Sequence, residues 1–172
     1  IKVFPFPSAA SVLSLHFDPD SNVLWVGTQG DGLARFSLTT RSFDQFYGYP
    51  QGLSGNMVYG ILPDGRGNLW LSTNNGVFRF RPSSRIFVRY GREDGLPDDD
   101  LYTIAYQRGR ADRLYFGCLS GLIAFVPAEV QRLEKALGQR TALVFTSAEI
   151  AGQAQQNVLY TPQPANELVV PP

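Results

Sequence analysis

The sequence predicts an all-β chain built from about three copies of a four-stranded unit, and three observations lead there. Trp25, Trp70 and Tyr115 recur at a spacing of 45 residues. Thr28, Thr73 and Cys118 follow these aromatics by 3 residues, and Gly32, Gly76 and Gly121 close the short loops that come next. Phe36, Phe80 and Phe125 stand 4 residues after those glycines. Four antiparallel strands in a unit of about 40 to 50 residues is the measure of a β-propeller blade. The fold expected is thus a partial β-propeller of about three four-stranded blades, followed by a short helix and the first strands of a β-sandwich-like segment.

The elements follow in order. Ile1 to Pro7 carries Val3, Phe4 and Phe6, so it reads as the last strand of a preceding, absent repeat. Residues 1–127 are the propeller fragment, with blades at roughly 8–49, 50–92 and 93–127. In the middle copy the strands are Met57 to Leu62, Asn68 to Thr73, Val77 to Arg81 and Ile86 to Tyr90. Pro63-Asp64-Gly65-Arg66-Gly67 turns the chain between the first two. Asn75-Gly76 between apolar runs is a hairpin signal, since both central residues of the favoured turn take positive φ. After Val126 the repeat stops. Pro127 starts and Gly138 ends a short helix with Val130, Leu133 and Leu137 on one face, which makes 128–140 a helical linker. Residues 141–172 then open another β segment.

One blade cannot hide both of its faces. Stacked blades bury them, and a large aromatic at each second-strand position supplies about 1.5 to 3 kcal/mol when fully buried. Inter-blade packing is therefore the expected role of Trp25, Trp70 and Tyr115. Three blades cannot close a ring of four to eight, so the open blade faces are expected to drive self-association.

Composition limits the function classes. A chain with 44% hydrophobic and 13% aromatic residues is globular rather than disordered. Its 15 basic and 15 acidic residues are scattered and cancel, which leaves no nucleic-acid footprint. No apolar run reaches the roughly 18 residues of a membrane span, so membrane contact is expected only through segments outside this chain. A single cysteine excludes an internal disulfide, and Cys118 reads as a small strand residue. His16 is the single histidine and sits among Leu13, Leu15 and Phe17, where a structural role is expected. Asp98-Asp99-Asp100 lacks the alternating spacing of a calcium loop, and Asp64-Gly65-Arg66-Gly67 lacks the lysine and helix of a phosphate loop. No catalytic residues, metal or cofactor are expected.

If each first strand lines the central channel, the loops entering first strands and those joining second to third strands emerge on one face. That face collects Gln29 and Asp31, Asn56, Asn74 and Asn75, and Asp98, Asp99 and Asp100. Amides and carboxylates offer the donors and acceptors that hydroxyl-rich ligands such as oligosaccharides need, and they are also what tight turns require. These eight residues are the candidate ligand-binding set.

The run Asn68-Leu69-Trp70-Leu71-Ser72-Thr73-Asn74-Asn75-Gly76-Val77-Phe78 resembles the two-component regulator propeller repeat, and Gly52-Leu53-Ser54-Gly55-Asn56 and Gly95-Leu96-Pro97-Asp98-Asp99 resemble the connectors of that family. Residues Leu143 to Ile150 resemble the start of the triple-tyrosine, immunoglobulin-like domain that follows such propellers, which assigns 141–172 to it. The resemblance covers residues 12 to 126 well and 141 to 172 weakly. It implies a non-catalytic sensor segment in the periplasmic part of an inner-membrane receptor, whose output is a histidine kinase or a diguanylate cyclase elsewhere in the protein. Two other readings stand beside it: a propeller lyase of the streptogramin-inactivating type, for which one histidine is little support, and a scaffold for protein contacts.

Overall fold

The structure is a computed structural model that describes residues 1–137 and 148–149. The first blade contains β1 (Ser11–Asp18), β2 (Val23–Gln29), β3 (Leu33–Ser37) and β4 (Ser42–Tyr47). The second contains β5 (Val58–Pro63), β6 (Leu69–Thr73), β7 (Gly76–Arg81) and β8 (Ile86–Tyr90). Both are antiparallel meanders with strands in chain order. The third holds β9 (Leu101–Arg108), β10 (Leu114–Cys118) and β11 (Gly121–Phe125), after which the chain enters helix α1 (Pro127–Leu137). A two-residue strand, β12 (Ala148–Glu149), pairs antiparallel with β11. The expected immunoglobulin-like segment at 141–172 otherwise lies outside the described residues.

The sheets stack face to face, and each strand sends alternate side chains to opposite neighbours. Between the first and second blades, Trp25, Leu33 and Tyr47 meet Leu69, Leu71, Phe78 and Phe80 in one buried cluster. Between the second and third, Trp70, Val77 and Tyr90 meet Leu114, Phe116, Ile123 and Phe125 in another. Trp25 crosses Phe80 edge-on with ring centroids 5.5 Å apart, and Trp70 stacks on Tyr90 at 5.3 Å. The two tryptophans are 2% and 0% exposed, so both sit in inter-blade cores as expected. Tyr115, at the same repeat position on the unpaired side of the third blade, is only half-buried.

The first strands β1, β5 and β9 lie side by side. Each carries a register shift, between Val12 and Ser14, between Val58 and Gly60, and opposite Phe116 to Cys118. Such bulges re-aim the chain. The first sends the Ser14 hydroxyl across the gap between blades, where it donates to the Val58 carbonyl at 3.1 Å. At Gly60 an added Cβ would stand 2.4 Å from the Tyr106 ring, so only glycine admits this approach of the second and third blades.

Two expectations are corrected. Ile1 to Pro7 forms no strand. Pro5 and Pro7 lack the amide donors a sheet edge needs, and Phe4 and Phe6 instead pack edge-on against Phe36 and Phe43 of the first blade. The turn after β6 is also not centred on Asn75-Gly76. Thr73 pairs with Gly76, which leaves Asn74 and Asn75 as the central pair, and of these residues only Gly76 has positive φ, at 94°. The Thr73 hydroxyl holds the turn, accepting from the Asn75 amide at 2.9 Å and donating to the Gly76 carbonyl at 2.8 Å. Thr28 does the same for Asp31 and Gly32, and the Cys118 thiol, whose pKa burial raises, donates to the Gly121 carbonyl. The repeated threonine is thus a hairpin clamp.

Candidate functional site

The chain brings the loops between second and third strands against the connectors that lead into the next blade. The Gly30 and Gly32 amides donate to the Asn56 carbonyl at 2.9 and 3.0 Å, and the Gly76 amide donates to the Asp99 carbonyl in the second copy. Asn56 Oδ1 also accepts from the Asn74 side-chain amide at 3.1 Å, while Asn74 Oδ1 accepts from the Met57 backbone amide at 3.2 Å. Asp98 accepts from the Asp100 amide, and Asp100 accepts from the Tyr59 hydroxyl at 3.4 Å. Gln29 is exposed and bridges to Met57 through its backbone. The eight candidate residues therefore gather around these loops and connectors, and Gln29, Asn56, Asp99 and Asp100 tie blade to blade.

One part of that face opens into a cleft of about 490 Å³. Asp31 and Asn56 line it together with the rings of Phe6, Phe46 and Tyr49. Tyr49 is 81% exposed and Phe46 is 44% exposed, so two aromatic surfaces are offered to solvent beside a carboxylate. Asp31 accepts from the Ser8 hydroxyl. Tyr49 is held there by a single 3-10 turn, Tyr49–Gln51, which the Gln51 side chain fastens by accepting from the Gly48 amide at 2.9 Å. Leu53, just beyond, is buried between the blades and anchors the connector.

The second copy of this arrangement is closed. Phe46 pairs with Ala34, and Arg89 pairs with Phe78 at the matching register of the next blade, so Arg89 stands where Phe46 stands. Its guanidinium donates to the Asn75 carbonyl at 2.9 Å, to the Asn75 side chain at 3.1 Å and to Asp99 at 2.9 Å, and it also pairs with Glu93. Asn75 and Asp99 are the counterparts of Asp31 and Asn56. A cation of the chain itself fills the position that the first copy leaves open.

On the opposite face, α1 is fastened to the second blade. Glu134 accepts from both Arg79 and the Tyr90 hydroxyl, Gln131 donates to Asp64 at 3.0 Å, and Val130 enters the core. Burial, and then the bond to Glu134, push the Tyr90 phenol far above its ordinary pKa. In the first blade the matching Arg35 pairs with Asp44, the extra residue at a bulge in β4. His16 is half-buried in β1, and burial lowers its pKa while Asp18 partly opposes that. Among the described residues no group of three or more His, Cys, Asp or Glu side chains could hold a metal ion.

Residues 52–75 match the family described as two component regulator propeller. They include the first connector, β5, β6 and the Asn74-Asn75 turn. Over 79 residues, 46% of this chain and 6% of the relative, the sequence is 29% identical to histidine kinase P4 of Formosa agariphila. Two crystal structures of extracellular domains from B. thetaiotaomicron share the fold. One, described as part of a hybrid two component system, aligns with a TM-score of 0.57 at 22% identity, covering 69% of this chain and 16% of that one. The other, described as part of a one component system, gives 0.59 at 20% identity, covering 67% and 17%. The chain thus spans a small part of each protein it matches. Among the described residues no helix is long and apolar enough to cross a membrane.

Sequence reasoning found Asp31 and Asn56 by their loop positions but missed Phe6, Phe46 and Tyr49. A signal for two of them was present. Gly48-Tyr49-Pro50-Gln51-Gly52 aligns with Gly91-Arg92-Glu93-Asp94-Gly95, and Phe46 aligns with Arg89, so the aromatic character is specific to the first connector.

Proposed function

We propose that this chain is part of the extracellular, periplasmic sensor propeller of a two-component or hybrid sensor histidine kinase. It acts as a non-catalytic ligand-binding segment whose ligand is an oligosaccharide. The cleft carries the reading: exposed ring faces stand beside polar acceptors, and sugar recognition uses both, apolar faces for stacking and fixed polar groups for hydroxyls. The inter-blade hydrogen bonds that frame the cleft support a relay, since a ligand bridging Asp31 and Asn56 would bear on two blades at once. Fastened to the second blade and in contact with the third, α1 would carry the change toward the segment that follows. The histidine kinase relative and the extracellular domains that share the fold support a place in signal transduction, with any enzymatic output outside this chain.

The test is a saturation-transfer NMR screen of oligosaccharides against the chain, repeated with Tyr49→Ala. Binding that weakens about tenfold on loss of the ring, the worth of one stacking contact, supports the reading. Binding indifferent to Tyr49 would move the site elsewhere, and no binding by any saccharide would reject the ligand class.

A further inference from the structure

We propose that the cleft between the first and second blades selects a ligand bearing a positive charge, which takes the place that the Arg89 guanidinium occupies in the second copy. Two observations carry this. First, the second interface shows what that place accepts: a guanidinium bound by Asn75 and Asp99 at 2.9 to 3.1 Å. The first interface keeps the same backbone frame, with the Asn56 carbonyl receiving the Gly30 and Gly32 amides as Asp99 receives Gly76, but replaces the arginine by Phe46 and moves the carboxylate from the connector, where Asn56 stands for Asp99, to the loop, where Asp31 stands for Asn75. The chain's own cation is gone and an anion stands beside the vacated position.

Second, the lining has one sign. Asp31 is its single charged side chain, and no Lys or Arg contributes to it. The remaining surface includes the π faces of Phe6, Phe46 and Tyr49, which attract cations within about 6 Å of a ring. A sulfated or uronic ligand would meet Asp31 with no counter-charge, which disfavours it. A protonated amine or a guanidinium would meet a carboxylate and aromatic faces together. Within the saccharide reading above, on which only the identity of the carrier rests, the ligand is an amino sugar with its amine free.

The experiment is calorimetric titration of the 172-residue chain with chitobiose at a pH where its amines are protonated, with N,N′-diacetylchitobiose, and with methylguanidinium. These are repeated for Asp31→Asn and for Phe46→Arg, with near-UV circular dichroism confirming that each variant is folded. Chitobiose binding at least roughly tenfold tighter than its acetylated form, about one charge-assisted hydrogen bond, and lost in both variants, supports the proposal. Phe46→Arg is the sharper variant, because it supplies in the first cleft the guanidinium that Arg89 supplies in the second. Equal binding of the two sugars, undiminished by Asp31→Asn, overturns charge selection and leaves the saccharide reading standing. Methylguanidinium binding that depends on Asp31, with neither sugar bound, keeps the cation site and rejects the amino sugar as its carrier. Failure of all three ligands to bind overturns the proposal.

Discussion

Glu134 of α1 holds Arg79 of β7 in an ion pair that links the end of the repeat array to the face of its second blade. The two side chains are 22% and 12% exposed, and the same carboxylate accepts from Tyr90. In the first blade the equivalent arginine is satisfied from within the blade by Asp44. A helix does for the last complete blade what a bulge does for the first.

Because this pair is mostly removed from water, breaking it leaves a charge without its partner. Glu134→Ala should destabilise the chain by about 2 to 3 kcal/mol, somewhat below the cost for a fully buried pair. Asp44→Ala, whose pair with Arg35 is more exposed, should cost less than about 1 kcal/mol. Urea unfolding of the two variants checks the order; equal losses would mean that α1 is not held by Glu134.

Alkaline stability follows from Tyr90. Its pKa in the fold lies above the ordinary value of 10.0 that it takes in the unfolded chain, first through burial and then through Glu134. The neutral phenol's contribution is therefore complete below pH 10 and is lost as the pH rises toward the folded-state pKa. Tyr47 and Tyr59 are shifted in the same direction, mainly by burial. Circular dichroism followed with ultraviolet absorbance should show these tyrosines ionising together with unfolding; early ionisation without unfolding would contradict their burial.

The repeat aromatics should separate by position. Trp70→Ala opens a cavity in a closed inter-blade core and should cost about 3 to 5 kcal/mol, whereas Tyr115→Ala, half-buried on the third blade's open side, should cost less than half of that. Thermal unfolding of both variants tests the contrast.

Gly60→Ala forces a methyl against Tyr106 and should destabilise by about 1 to 3 kcal/mol. Adding Tyr106→Ala should return part of that loss, because the two changes share one contact. Strict additivity in the double variant would show that the blades do not approach at Gly60.

Self-association is proposed through the third blade, where Tyr102 and Ile104 of β9 are 51% and 88% exposed and Leu122 of β11 is 38% exposed. The first blade's outer face differs, because Phe4 and Phe6 cover it in part. Light scattering should find a species of two or more chains that Ile104→Glu converts to a monomer. A wild-type monomer would reject this surface.

Much of the fold could be read from the chain. Chemistry repeated at a fixed spacing placed Trp25 and Trp70 in inter-blade cores, because strand alternation sends equivalent residues to equivalent faces. The helix after Pro127 followed from its apolar spacing and its proline start. The loops between second and third strands meet the connectors into the next blade in both copies, because Asp31 and Asn75, and likewise Asn56 and Asp99, lie at equivalent points of a regular meander. The central residues of the β6–β7 turn were misplaced because Asn-Gly chemistry says which residue tolerates positive φ, not where the ladder ends. Thr73 decided that, through bonds to Asn75 and Gly76.

The sequence by itself determined the repeat, its strands and the faces that meet. Only the tertiary structure decided that one loop cluster is open and its neighbour closed. That difference rests on Phe6, Phe46 and Tyr49 gathering around Asp31, while Arg89 reaches Asn75 and Asp99. Period and register fix the side of a sheet a residue occupies, but whether a gap between two blades is filled depends on how far each side chain extends and which charge it finds across the gap. Those distances are set only when the blades stack.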